Sequence, residues 1–137
     1  NIKDKIAEIA PGLPEGVTIQ AVYDRSELIE LQQTAMVHAY PLDPIRPSDF
    51  WSMSVCESMA AGTPVIVSDA DSMPELWGDT ALVLERPIRL AEWHDAIEWL
   101  MTDKKKWKRM SDLGQKKAAE LTWDKQAARY LTIATEA

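Results

Sequence analysis

Residues Pro64, Val65, Ile66, Val67 and Ser68 form an apolar run with no polar alternation and three β-branched residues at its centre. Such a run reads as a strand buried on both faces, the condition of a parallel strand with helices above and below it. Parallel neighbours require crossover connections, so the flanking sequence should alternate strand and helix. It does. Strands are expected at residues 17–22, 35–40, 64–68 and 81–84. Helices are expected at 2–9, from a Ser26 cap to about 33 with Leu28 and Leu31 facing inward, at 54–61 and at 74–77. Gly62 closes the 54–61 helix as a C′ glycine, and Pro74 sits in the first turn of the next. After Pro87 the chain is helical. Leu90, Trp93, Ile97 and Leu100 form one apolar stripe, Trp107, Met110, Leu113 and Leu121 a second, and Thr122 or Asp124 starts a last helix through Tyr130. The expected fold is α/β: a Rossmann-like, three-layer parallel sheet with helices on both faces and a helical C-terminus. In such a sheet the ligand crevice lies beyond the C-terminal strand ends, and the proline-rich loop 41–52 is the longest there.

With 137 residues, 46% of them hydrophobic, the expectation is a single domain over 1–137. Four short strands make a lean sheet, and the first helix has no strand before it, so the domain is expected to be truncated at its N-terminus. One cysteine, Cys56, excludes an internal disulfide and suits a reducing compartment such as the cytoplasm; it is read as a buried, inert thiol. His38 and His94 lack ligand spacing, and no metal site is expected. His38 is placed in the core or at a strand end, and Glu75 is read as a first-turn acid on its helix. A net charge of −7 and a pI near 4.8 argue against nucleic-acid binding. The basic run at 104–109 is flanked by Asp103 and Asp112 and reads as a solvated helix face, with contact to an anionic membrane as the second reading.

Chemistry concentrates between Tyr40 and Val65. A loop feeds a helix whose first turn faces the crevice, where the orphan N–H groups of Ser54, Val55 and Cys56 and the helix dipole make an anion site. Glu57, one turn in, is placed to accept hydrogen bonds from sugar hydroxyls. The competing explanation is a capping box, Ser54 with Glu57 three residues on, in which Glu57 satisfies the Ser54 backbone N–H. Trp93, Trp99, Trp107 and Trp123 are read as packing residues, while Trp51 and Trp77 flank the crevice and are candidates for stacking on a bound ligand.

The wider pattern resembles the retaining GT-B glycosyltransferases. Asp49, seven residues, Glu57, then Ser58-Met59-Ala60-Ala61-Gly62-Thr63-Pro64-Val65 is similar to that family's signature. Ser68-Asp69, Met73-Pro74-Glu75-Leu76 and Thr122-Trp123 with Ala128 and Tyr130 are similar to its later segments. The resemblance implies one half of a GT-B fold, the half that binds a nucleoside-diphosphate hexose. It places Glu57 on the donor ribose, Asp49 beside the transferred hexose and reaction centre, the amides of Met53, Ser54 and Val55 on hexose and diphosphate, and Val22 and Tyr23 at the base. The nucleotide sugar is a substrate, and no cofactor is implied. An N-terminal acceptor-binding domain is missing from these residues, so the chain alone is expected not to turn over.

Two departures from the family pattern stand out. Asp49 replaces the usual glutamate and reaches about 1.3 Å less, and Phe50 replaces a glycine. The arginine and lysine that the family sets on the diphosphate have no counterpart in 1–16; Arg25 and Arg46 are the alternatives, each read first as a surface ion-pairing residue. These departures leave a second reading, a non-catalytic sugar-nucleotide-binding or protein-interaction module that kept the half-fold.

Overall fold

A computed structural model describes residues 2–12, 15–16, 18–19, 24–42 and 51–136. Two compact units divide the chain, Asn1–Leu31 and Gln32–Ala137. In the first, helix α1 spans Ile2–Ile9, followed by a 3-10 turn Ala10–Gly12. Helix α2, Arg25–Thr34, begins in this unit. Its cap is Asp24 rather than Ser26: the Asp24 carboxylate accepts the Ser26 backbone N–H at 2.6 Å and also the Ser26 hydroxyl. The bond from that hydroxyl, then the one from the N–H, holds the Asp24 carboxyl below its usual value. Leu28 faces solvent instead of a core, and none of the described residues of this unit is buried. The strand expected at 17–22 lies mostly outside the described residues, and Thr18 and Ile19 are not in a strand.

The second unit carries the sheet. Strands β1 (His38–Tyr40), β2 (Val65–Ser68) and β3 (Leu82–Leu84) are parallel in the order β1-β2-β3. The central strand is buried at all four residues, as its unbroken apolar run requires. Register pairs Ala39 with Ile66 and Ile66 with Leu82. Alternate β2 side chains then enter two cores. Val65 and Val67 pack with Val55 and Met59 of helix α3 (Met53–Ala61) and with Met73 and Trp77 of helix α4 (Met73–Trp77). Ile66 packs against Trp93, Ala96 and Leu100 of helix α5 (Leu90–Thr102). Helices therefore cover both faces. Leu90 is 82% exposed, because it lies at the first position of α5 before the buried stripe begins.

Helix α6 (Lys104–Glu120) packs on α3 through Ser111, Gly114 and Ala118, whereas Leu113 points outward. Small residues win because α3 comes very close. A Cβ on Gly114 would lie 3.2 Å from Met59 Cγ and 3.3 Å from Met59 Cβ. Gly114→Ala trades about 1 kcal/mol of helix propensity against that contact, so its net effect is small. Gly114→Val is expected to lose about 1–3 kcal/mol by overpacking, read as a lower denaturant midpoint at constant slope.

Helix α7 (Trp123–Glu136) extends six residues past Tyr130, and none of its residues is buried. Trp123, expected in the core, is 85% exposed. Trp99 is also partly exposed, while Trp93 is buried and half-buried Trp107 donates its indole N–H to the Met36 carbonyl at 2.6 Å.

Candidate functional site

In a parallel β-α-β unit the crossover helix starts where the strands end, so α3 begins at the mouth formed by β1 and β2. Ser68, the last residue of β2, accepts the Leu42 backbone N–H on its hydroxyl at 2.9 Å, which pins the start of the loop leaving β1. That loop returns at Trp51 and Ser52. Asp49, Phe50 and Arg46 lie outside the described residues, as do Val22 and Tyr23.

Ser52, not Ser54, caps α3. Its backbone is extended, its hydroxyl accepts the Val55 N–H at 3.4 Å, and its carbonyl accepts the Cys56 N–H at 3.2 Å. The third helical position is then Val55, so the capping-box explanation of Glu57 falls away. At the other end Gly62 takes φ +90°, its N–H donating to the Met59 carbonyl while the Thr63 N–H reaches the Ser58 carbonyl. This is a Schellman closure, the C′ glycine expected from sequence.

With the cap at Ser52, the first-turn amides of Met53 and Ser54 have no acceptor within their own helix. The Val55 amide is engaged by the cap, and the Val55 side chain is fully buried in the core. Glu57 follows Met53 by four residues and Ser54 by three, which places all three on one helical face. Its Cα–Cβ bond tilts toward the helix N-terminus, toward the mouth. Glu57 is half-buried, and its charge reaches Cys56: burial first, and then Glu57, push the Cys56 thiol above its ordinary value. The thiol stays protonated and is no nucleophile at neutral pH.

Trp77 is sealed in the core at 0% exposure, which removes it as a stacking platform. Trp51 leans on it with ring centroids 5.2 Å apart and planes at 53°, and donates its indole N–H to Met53 Sδ at 3.3 Å. Trp51 keeps 38% exposure beside α3's first turn. There an open, mainly apolar groove of about 330 Å³ runs between Trp51, Met53 and Cys56 on one side and Leu121, Trp123 and Tyr130 on the other. The sequence signal for this second wall was faint: two aromatics, Trp123 and Tyr130, seven residues or about two turns apart on an otherwise polar helix.

His38 sits at the opposite, N-terminal end of β1, away from the mouth. Burial lowers its pKa from the ordinary 6.5, and its Nδ1 has no hydrogen-bond partner among the described residues. Below pH 6.5 the unfolded chain therefore binds more protons than the folded one. The His38 contribution to stability is complete above that pH and is lost as pH falls through the lower folded value. Unfolding midpoints measured across this range should decline toward acid, and His38→Gln should flatten the decline.

Among the described residues, the one grouping with metal-ligand spacing is His94, Asp95 and Glu98, all exposed on α5 and remote in sequence from the mouth. No helix of the described residues is long and apolar enough to cross a membrane.

A family model for glycosyl transferases group 1 matches residues 9–117. Over 123 residues the chain is 28% identical to D-inositol 3-phosphate glycosyltransferase of Nocardia farcinica, covering 88% of this chain and 26% of that protein. It superposes on sucrose-phosphate synthase from Thermosynechococcus elongatus with a TM-score of 0.72 and 21% identity, over 98% of this chain and 33% of that one. The chain thus spans a third or less of the length of either relative, and the fold is the Rossmann-like half of a GT-B arrangement.

Proposed function

We propose, for a chain that belongs to the glycosyl transferases group 1 family, that it is the domain holding a nucleoside-diphosphate hexose while the hexose is transferred with retained configuration. The observation that carries this reading is the start of α3 at the mouth of the sheet, with Met53, Ser54 and Glu57 on one face and the cap moved back to Ser52. The amides of Met53 and Ser54, at the positive end of a nine-residue helix, suit the donor diphosphate. Glu57 accepts hydrogen bonds from the ribose hydroxyls, and Trp51 offers its exposed ring to sugar or base. Asp49 is assigned to the transferred hexose and Tyr23 to the base; Val55 shapes the turn from within the core.

As the glycosidic bond breaks, negative charge grows on the departing diphosphate, and fixed amide dipoles stabilise it more than they stabilise the bound donor. The donor is a substrate and no cofactor is required. Turnover needs an acceptor held in near-attack geometry, the task of a second domain, so the chain by itself binds donor without transferring it. The single free cysteine fits a cytoplasmic setting.

Titration with UDP-glucose, GDP-mannose and ADP-glucose, followed through backbone amide shifts, tests the reading. One donor should move the signals of residues 52–57 selectively. No response to any of the three at millimolar concentration would overturn it.

A further inference from the structure

The corner between α5 and α6 lies outside the donor site and concentrates charge against the helix dipole. Lys104, Lys105 and Lys106 fill the first turn of α6, the positive end of a 17-residue helix, where cations are disfavoured. The carboxylate that precedes them is occupied with the backbone: Asp103 Oδ1 accepts the N–H groups of Lys105 and Lys106 at 3.1 and 3.0 Å. Lys108 pairs with Asp112, and among the described residues Lys104, Lys105 and Arg109 have no carboxylate partner. Five of the chain's 15 basic side chains fall in residues 104–109 with no acid between them; the remaining ten face 22 acids elsewhere. Apolar side chains sit among these cations. The Lys106 ammonium lies 5.4 Å from the ring centroid of Trp99, which is 40% exposed. Next along the helix, Trp107 is bonded to the Met36 carbonyl, and the Met36 side chain is 48% exposed.

We propose that this corner docks on an anionic lipid surface. Lysine ammonium groups on long aliphatic stems can meet headgroup phosphates while Trp99 and Met36 settle at the boundary with the acyl chains. A bilayer presents its negative charge at one surface, which a single basic corner can meet. A nucleic acid, by contrast, would extend its charge along a molecule that is otherwise strongly acidic. Lysines, unlike arginines, also offer no fork for reading bases.

The inference is independent of donor binding, and its test contains no nucleotide sugar. The protein is sedimented with phosphatidylcholine vesicles with and without about 30% phosphatidylglycerol, at about 0.1 M and 1 M salt, across which the Debye length shrinks from about 10 to 3 Å. Binding is expected only to the anionic vesicles and only at low salt. Each cation near such a surface strengthens partitioning about fivefold, so Lys104→Gln/Lys105→Gln should weaken it about 25-fold. Both substitutions remove cations from a turn that disfavours them, so folding is preserved. Trp99→Ser should weaken binding further, and the Trp99 fluorescence, obtained by difference, should become shielded from iodide on vesicles. Equal binding by parent and double-lysine variant, no partition to anionic vesicles, or tighter binding to a single-stranded oligonucleotide than to vesicles would each overturn the proposal.

Discussion

Glu57→Ala is expected to weaken binding of the nucleoside-diphosphate hexose about 10- to 100-fold. The binding loss follows from charge-assisted hydrogen bonds to ribose hydroxyls, each contributing about 1.5–3 kcal/mol, with about 1.4 kcal/mol per tenfold. The helix cap is not part of that role: Ser52 supplies the hydrogen bond that closes α3, and Val55 occupies the third position. Ser52→Ala should show the converse, costing about 1 kcal/mol of stability. It should perturb donor binding only through fraying of the first turn. Calorimetric titration together with thermal unfolding of both variants checks the pair. A Glu57→Ala protein that binds the donor normally would contradict the role assigned to this carboxylate.

Trp77→Ala is expected to cost about 3–5 kcal/mol, a large part of the 5–15 kcal/mol typical of a whole domain. Trp77 is among the largest fully buried side chains and packs in one cluster with Met59, Val67 and Met73, so its removal leaves a cavity beneath both α3 and β2. Its Nε1 is buried with no hydrogen-bond partner among the described residues. Trp77→Phe should therefore lose much less than Trp77→Ala, because it fills most of the space and removes an unsatisfied donor whose burial is itself unfavourable. The effect should reach the site, since Trp51 rests on this ring at 5.2 Å. Urea unfolding of the two variants gives the ranking directly. Equal losses for Ala and Phe would mean that the indole N–H, and not the packing, carries the stabilisation.

The sheet and its crossover helix were legible because their signals are local and strong. The unbroken run at 65–68 leaves no alternative to a strand buried on both sides, and Gly62 ends α3 with the positive φ that its position demanded. Resemblance in the Asp49 to Val65 segment identified the family, which the match over residues 9–117 bears out. Side-chain placement was harder. Two serines, at 52 and 54, are equally good caps by type, and which one is used depends on where the loop from β1 re-enters. On α6 the expected stripe held in part: Met110 and Leu121 pack against the two cores and Trp107 is half-buried, but the face that meets α3 has room only for Ser111, Gly114 and Ala118, and Leu113 turns outward. Trp77 and Trp123 exchanged roles for the same reason. Residue type records hydrophobicity, whereas burial depends on which neighbouring element arrives to cover it.

The central claim is that the first turn of α3 holds the donor. The most direct test is an isotope-filtered NOE experiment on 15N-labelled protein saturated with the preferred nucleoside-diphosphate hexose. Cross-peaks from ribose and hexose protons to the amides of Met53 and Ser54 are predicted. Cross-peaks confined to another surface, such as the wall of Trp123 and Tyr130, with none to residues 52–57, would contradict it.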